Sequence, residues 1–359
     1  MGRIENLNIS FLKPNPVYKA GDTIQGSVNF RVNEPTRVNR IKLRALGKAI
    51  VHWIETQEPN DDRHIVTYES NEIYLNEEII LYDKENDDQL FNSDDYSFDF
   101  FIQLPNNAPT SFEHEIGQIR YNLNAKIEIP WAFGKSTKKS FTVISEFDLN
   151  EYPSLRLGLG VSDEKYLCCW PCRSSPIIAN FSLLKGGYVP GEGIVFDITI
   201  NNRTNKAINC MNVSLVQKIK FRANFKTKTS SRTVENFRFP SRVQEKSILN
   251  WNNSVLVIPP TCPTSNKNSK IIDISYLVLF DFCASGPHFP KEIAIPISIG
   301  TIPLKLQNEN QQQNGIIDYE ESKFGPYPDK ILFHESEFED LVEIENEKFK
   351  PLYPFLKDN

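Results

Sequence analysis

The chain is poor in the residue types that most enzymes and metal proteins draw on. Its 359 residues include five His, six Cys, two Met and 16 Gly. No Gly-x-Ser-x-Gly turn and no His-Glu-x-x-His pair occurs. The glycine pairs Gly186-Gly187 and Gly191-x-Gly193 lack the lysine and the strand-to-helix setting of a phosphate-binding loop. A catalytic role is therefore not expected, and no cofactor is implied. Long apolar runs are missing too. The best of them, residues 276–280, is strand-length, far short of the roughly 18 residues a membrane helix needs. The first ten residues mix Arg3 and Glu5 with apolar side chains, which is not the apolar core of a signal peptide. The expectation is a cytoplasmic chain with reduced cysteines. Positive charge is not in excess: 40 Lys+Arg face 46 Asp+Glu, a net charge of -6. That balance gives no general support for holding a phosphate backbone, so nucleic acid is not an expected partner.

What is abundant points to sheet. Aromatic residues make up 11%, with 24 Phe and 13 Tyr, and aromatic and β-branched side chains suit a half-buried pleated surface. Apolar residues recur with period two. One set is Ile24, Val28, Phe30 and Val32; another is Ile41, Leu43 and Ala45 followed by Ala49, Val51 and Trp53. Further sets are Tyr96, Phe98, Phe100 and Ile102, and Tyr121 through Ile129. Turn clusters separate them, such as Pro14-Asn15-Pro16 and Ala20-Gly21-Asp22. The pattern resumes after residue 177, with Ile194, Phe196, Ile198 and Ile200, then Met211, Val213 and Leu215. Long stretches of helical period are hard to find. The fold class read from this is all-β, most naturally a sandwich.

The two halves echo each other. A shift of 170 residues lays Tyr18 on Tyr188, Gly21 on Gly191, Asp22 on Glu192 and Ile24 on Ile194. It also matches the strand positions that follow, ending with Leu43 on Val213. A glycine at the same turn position implies the same tight or left-handed turn in both halves. The organisation expected is a first sandwich over 1–150, a junction over 151–176, a second sandwich over 177–305 and a tail over 306–359. The tail opens with a Gln/Asn-rich stretch, 307–314. Residues 316–349 then carry eleven acids against three lysines. An acidic segment with embedded aromatics, including Phe324 and Tyr327, either stays mobile or docks on a basic surface.

Three groups of residues are candidate sites. Lys218, Lys220 and Arg222 alternate with Ile219 and Phe221, so they share one strand face, and Lys226 and Lys228 extend the patch. Such a face is either merely solvated or takes an acidic partner: a phosphoinositide headgroup, an acidic cargo tail, or this chain's own tail. Cys168 and Cys169 are candidates for lipidation. Cys169-x-x-Cys172 is half of a tetrahedral zinc site with no second pair in view, and ordinary junction thiols are the plain alternative. Pro326, Tyr327 and Tyr353 are weak tail motifs, in Gly325-Pro326-Tyr327-Pro328 and Leu352-Tyr353-Pro354.

Several segments together resemble the arrestin-domain-containing proteins, the alpha-arrestins. They are residues 15–26 (Asn-Pro-Val-Tyr-Lys-Ala-Gly-Asp-Thr-Ile-Gln-Gly), residues 41–49 with Trp53 beyond, and the junction Cys168-Cys169-Trp170-Pro171-Cys172. Gly187-Tyr188-Val189-Pro190-Gly191-Glu192, Ile258-Pro259-Pro260 and Phe349-Lys350-Pro351-Leu352-Tyr353-Pro354 complete the set. The resemblance implies tandem arrestin-like, immunoglobulin-type β-sandwiches with an acidic C-terminal tail. It implies a non-catalytic intracellular adaptor in membrane-protein trafficking, endocytosis and protein transport, peripheral at the plasma membrane or endosomes. Its partners would be membrane cargo, receptors or transporters, which family members link to ubiquitin ligases. A retromer-type sorting-coat scaffold is the rival reading. The chain departs from the family in one motif: no intact Pro-Pro-x-Tyr is present, since Pro259-Pro260 is followed by Thr-Cys. The paired first-strand lysines of phosphate-sensing arrestins are reduced to Lys13, and their buried charge cluster has no counterpart recognisable in the sequence.

Overall fold

The computed structural model describes residues 4–57, 64–87, 89–131, 134–167, 174–265, 267–305, 316–327 and 348–357. These residues are mostly strand and form two sandwich-like units in series, each built of two facing sheets. In the first unit, Ile4–Phe11, Thr23–Val32 and Asp95–Gln103 make one antiparallel sheet. The facing sheet runs Val17–Lys19, Lys135–Ile144, Gly117–Glu128, Arg40–Gln57 and His64–Asp83. Its short first strand pairs in parallel, whereas the other pairings are antiparallel.

The second unit repeats the plan. Leu159–Lys165, Ile177–Leu183, Gly193–Asn202 and Ser247–Val257 form one sheet. Gly187–Tyr188, Lys291–Ile299, Ile272–Ala284, Ile208–Ala223 and Lys226–Arg238 form the other, and again the short first strand pairs in parallel. Thr23–Val32 and Gly193–Asn202 lie 170 residues apart at both ends. Tyr18 and Tyr188 are each 1% exposed. Gly21 and Gly191 sit at φ +86° and +95°, a left-handed turn that disfavours any side chain. The sequence echo is thus a repeated supersecondary unit.

The period-two sets become the core. Ile24, Val28, Leu43, Ala45, Tyr121 and Leu123 are buried in the first unit, and Ile194, Phe196, Val213, Leu215, Val278 and Phe280 in the second. One continuous cluster of buried apolar side chains joins the two units and includes Tyr353 of the tail. Leu159–Lys165 falls inside the segment read from the sequence as junction, and here it is an edge strand against Ile177–Leu183. Its exposure is mostly partial or full, so it carries little apolar signal. Before it, Asp148 caps a short 3-10 turn, its carboxylate accepting the Asn150 backbone N–H at 2.8 Å.

Candidate functional site: the seam between the sandwiches

The seam is built from polar side chains that strands of both units carry to the place where the units meet. In the first unit, Phe112–Glu113 lies beside Gly117–Glu128, which sets Glu113 against Arg120. The pair is bidentate, Nε to Oε1 at 2.9 Å and Nη2 to Oε2 at 2.8 Å. Both residues are buried. A fork-to-carboxylate geometry is what a desolvated ion pair needs to offset its loss of water. The Arg120 guanidinium also sits 5.6 Å from the ring of Phe349, a tail residue.

In the second unit, Arg232 projects from Lys226–Arg238 to the meeting point of all three parts of the chain. Its Nε donates to Gln217 Oε1 at 2.6 Å, and Gln217 is fully buried. Its Nη1 donates to the Glu113 carbonyl at 3.4 Å and to the Tyr327 hydroxyl at 3.2 Å. Its guanidinium lies 5.4 Å from the Phe112 ring and 3.7 Å from the Phe324 ring. Beside it, His114 Nδ1 accepts the Ile116 N–H at 3.1 Å, and Nε2 is 3.2 Å from Ser230 Oγ. Further out, Glu72 accepts the Lys270 N–H at 2.9 Å and Asn268 donates to Ser145 Oγ at 3.0 Å. Lys226 pairs with Glu55.

The tail closes over this seam. Ile316–Glu321 and Leu352–Lys357 form an antiparallel two-stranded ribbon. Leu356 N–H donates to the Pro190 carbonyl at 2.9 Å, and Lys323 N–H to the Pro260 carbonyl at 2.8 Å. Leu352 N–H donates to Thr142 Oγ1 at 3.1 Å, and the Tyr353 hydroxyl to the Ser111 carbonyl at 2.8 Å. Lys323 pairs with Glu235 at 2.8 Å. Burial raises the Tyr353 phenol well above its usual pKa, so it stays a neutral donor. Burial likewise pushes the Cys262 thiol next to it up to about 12, which removes thiolate reactivity at ordinary pH.

The tail residues singled out in the sequence thus sit inside an intramolecular contact: Tyr353 is 1% exposed, and Tyr327 meets Arg232 and lies near the His114 ring. Pro326 beside them is exposed. The basic patch is divided. Lys218, Lys220 and Arg222 are exposed on one face, as their alternation with buried Ile219 and Phe221 predicts. Arg222 is engaged by Asp273 at 3.6 Å. Lys226 and Lys228 stand on the opposite face, because Lys228 pairs across the hairpin with Phe221 and Lys226 with Ala223. Direct cross-strand partners share a face, and there Lys226 meets Glu55 while Lys228 lies 5.9 Å from the Trp53 ring. Cys168, Cys169 and most of the acidic tail, including residues 328–347, lie outside the described residues. Glu113, Arg120 and Arg232 escaped the sequence reading. No sequence motif links them, and only the paired strands bring them together.

Among the described residues no group of three or more His, Cys, Asp or Glu is placed to hold a metal ion. No helix there is long and apolar enough to cross a membrane.

Two tandem sandwich-like units are consistent with an arrestin fold, and comparison with known proteins agrees. Residues 7–150 match the model of the arrestin (or S-antigen) N-terminal domain, and residues 173–304 that of the C-terminal domain. The chain belongs to the arrestin family. It is 27% identical over 317 residues to arrestin domain-containing protein 17 of Caenorhabditis elegans, covering 84% of this chain and 72% of that one. It is 28% identical over 312 residues to human arrestin domain-containing protein 4, with the same coverage. Human arrestin domain-containing protein 1 matches at 25% over 308 residues, covering 84% of this chain and 66% of that one. Arrestin domains are non-catalytic scaffolds, and the homology supports a general adaptor role in trafficking.

Proposed function

We propose that this protein is a cytoplasmic adaptor that grasps the cytosolic segments of receptors or transporters and works at the plasma membrane or endosomes. The observation that carries the reading is the outer face of Ile208–Ala223. There Lys218 and Lys220 are exposed, and among the described residues neither forms an ion pair. Two ammonium groups free on a strand face are available to an acidic cargo segment or an anionic headgroup. The engaged Lys226 and Lys228 serve the seam instead, so the cargo contact falls to Lys218 and Lys220, with Arg222, held by Asp273, beside them.

Linkage of cargo to ubiquitination belongs to this proposal with one restriction. No Pro-Pro-x-Tyr motif is present, and Tyr327 and Tyr353 are turned into the seam. A ubiquitin ligase would therefore join through a folded surface and not through a proline-rich helix laid on aromatics. The test replaces Lys218 and Lys220 with glutamate and measures capture of acidic cargo tails and sedimentation with anionic vesicles. The reading predicts loss of both at unchanged thermal stability. Unaltered binding would contradict it.

A further inference from the structure

The described cysteines are of two kinds. Cys262 is buried beside Tyr353, and its thiol is pushed up to about 12. Cys210 and Cys283 are partly exposed and lie on adjacent strands. Alternation turns both outward. Met211, Val213 and Leu215 of Ile208–Ala223 are buried, as are Phe280, Phe282 and Ala284 of Ile272–Ala284. The residues between them therefore face away from the core. The register makes Cys210 and Cys283 direct cross-strand partners. Two residues along, the same face carries Asn212 opposite Asp281, and there the amide donates to the carboxylate at 3.0 Å. Side chains opposed on this face thus reach one another.

The spacing suits a covalent link. Directly opposed antiparallel residues have Cα atoms about 4.5–5.5 Å apart, inside the span of about 4.4–6.8 Å that a disulfide bridges. A register shift between Ile208 and Cys210 places an extra residue in that strand beside the pair. A bulge of this kind bends the strand and re-aims its side chains. The surroundings of Cys283 differ from those of the inert Cys262. Its Sγ lies 3.5 Å from the carbonyl oxygens of Ala284 and His288. Lys165, from the edge strand, donates to the next carbonyl, that of Phe289. The two side chains converge on one turn. Burial lowers the pKa of the Lys165 ammonium, and its electrostatic contact with Cys283 opposes that. A cation beside a partly exposed sulfur is the setting of reactive cysteines.

We propose that Cys210 and Cys283 are a site of reversible oxidative modification, a cross-strand dithiol that a small-molecule disulfide such as glutathione disulfide converts to an internal disulfide. The Cys283 thiolate attacks one sulfur of glutathione disulfide. That S–S bond breaks, and the departing glutathione thiolate takes up the proton that Cys283 gave up. The Cys210 thiolate then attacks the Cys283 sulfur of the mixed disulfide and expels the second glutathione, which takes up the Cys210 proton. Two protein thiols are oxidised and one glutathione disulfide is reduced to two glutathiones. The product staples Ile208–Ala223 to Ile272–Ala284 at the end of the outer face remote from Lys218 and Lys220. The inference goes beyond the cargo contact proposed above and does not rest on it.

The test incubates the native full chain with reduced and oxidised glutathione in varied ratio, traps free thiols by alkylation and maps the linked peptides by mass spectrometry. A Cys210–Cys283 cross-link is expected in the monomer, opened again by dithiothreitol. Its formation should raise the melting temperature by several degrees, because the bridge closes a long loop of the unfolded chain. Cys210→Ala should stop at a single glutathione adduct on Cys283. Cys283→Ala should take up glutathione at least about tenfold more slowly. Both side chains face outward, so the reduced variants should melt close to the reduced parent, and the peptide map of the parent chain needs no variant. Separate adducts on Cys210 and Cys283 that never join would overturn the proposal. So would a cross-link from either sulfur to any other cysteine, or thiols that react only once the chain is unfolded.

Discussion

The guanidinium of Arg232 stacks 3.7 Å from the ring centroid of Phe324, and the same group donates to the Glu113 carbonyl. One side chain of the second sandwich therefore touches the first sandwich and the tail at once. The tail is held where the two units meet, and its ribbon is part of the seam.

Replacing Arg232 should loosen all three parts. Arg232→Ala removes the ring contacts and leaves the fully buried Gln217 Oε1 without its donor. The expected loss is about 2–3 kcal/mol in urea unfolding. Arg232→Lys should recover only a fraction, because an ammonium cannot stack and fork together. Faster amide exchange at Lys323 and Leu352 would accompany either change.

The repeated glycines should respond unequally. An alanine Cβ at Gly21 would fall 2.6 Å from the Asn106 side-chain oxygen, which can swing away. At Gly191 it would fall 2.1 Å from the Leu356 backbone oxygen, inside the tail ribbon. Gly21→Ala is expected to cost about 1–2 kcal/mol from the left-handed turn alone. Gly191→Ala should add displacement of the ribbon, seen as lost exchange protection at Leu356 N–H. Equal exchange profiles in the two variants would contradict this.

The Glu113–Arg120 pair should be costly to break and cheap to replace. Glu113→Gln removes one charge from a buried bidentate pair and is expected to destabilise by about 3–5 kcal/mol. The double change Glu113→Leu with Arg120→Met should recover most of that. Chemical unfolding of the three proteins checks the order.

Acid should act on the tail only at low pH. The hydrogen bond from Lys323 holds the Glu235 carboxyl below its ordinary range, and that from Lys357 does the same for Asp318. A lowered folded-state pKa contributes stability above the unfolded value. That contribution is lost as pH falls through the folded value. Tail docking should therefore be unchanged by these pairs between about pH 5 and 8 and weaken below about pH 4. Tail exchange rates followed against pH, with Lys323→Ala as reference, measure it.

Much of the fold was written in period two and in the echo at 170 residues. Thr23–Val32 and Gly193–Asn202 each bury one parity against the core, and nothing else about them needs tertiary context. His64–Asp83 was not legible. It is an edge strand that leaves Ile65, Ile73 and Ile80 exposed, so its apolar residues do not mark the buried side, and register shifts opposite Ile41/Lys42 and Gly47/Lys48 break its alternation. The seam was hidden for another reason. No sequence motif links Glu113, Arg120 and Arg232, and their meaning comes from long-range pairing. The basic face was half legible, since alternation orders residues along one strand but does not carry the face around the turn at Asn224 and Phe225, both at positive φ.

The central claim, that this arrestin-family chain is an adaptor for membrane cargo, is tested most directly by proximity labelling in cells with the full chain and a Lys218→Glu, Lys220→Glu variant. The account predicts enrichment of receptors or transporters with sorting or ubiquitination machinery, and loss of the cargo in the variant. Enrichment of retromer-type coat subunits without cargo, or a profile that the variant leaves unchanged, would contradict it.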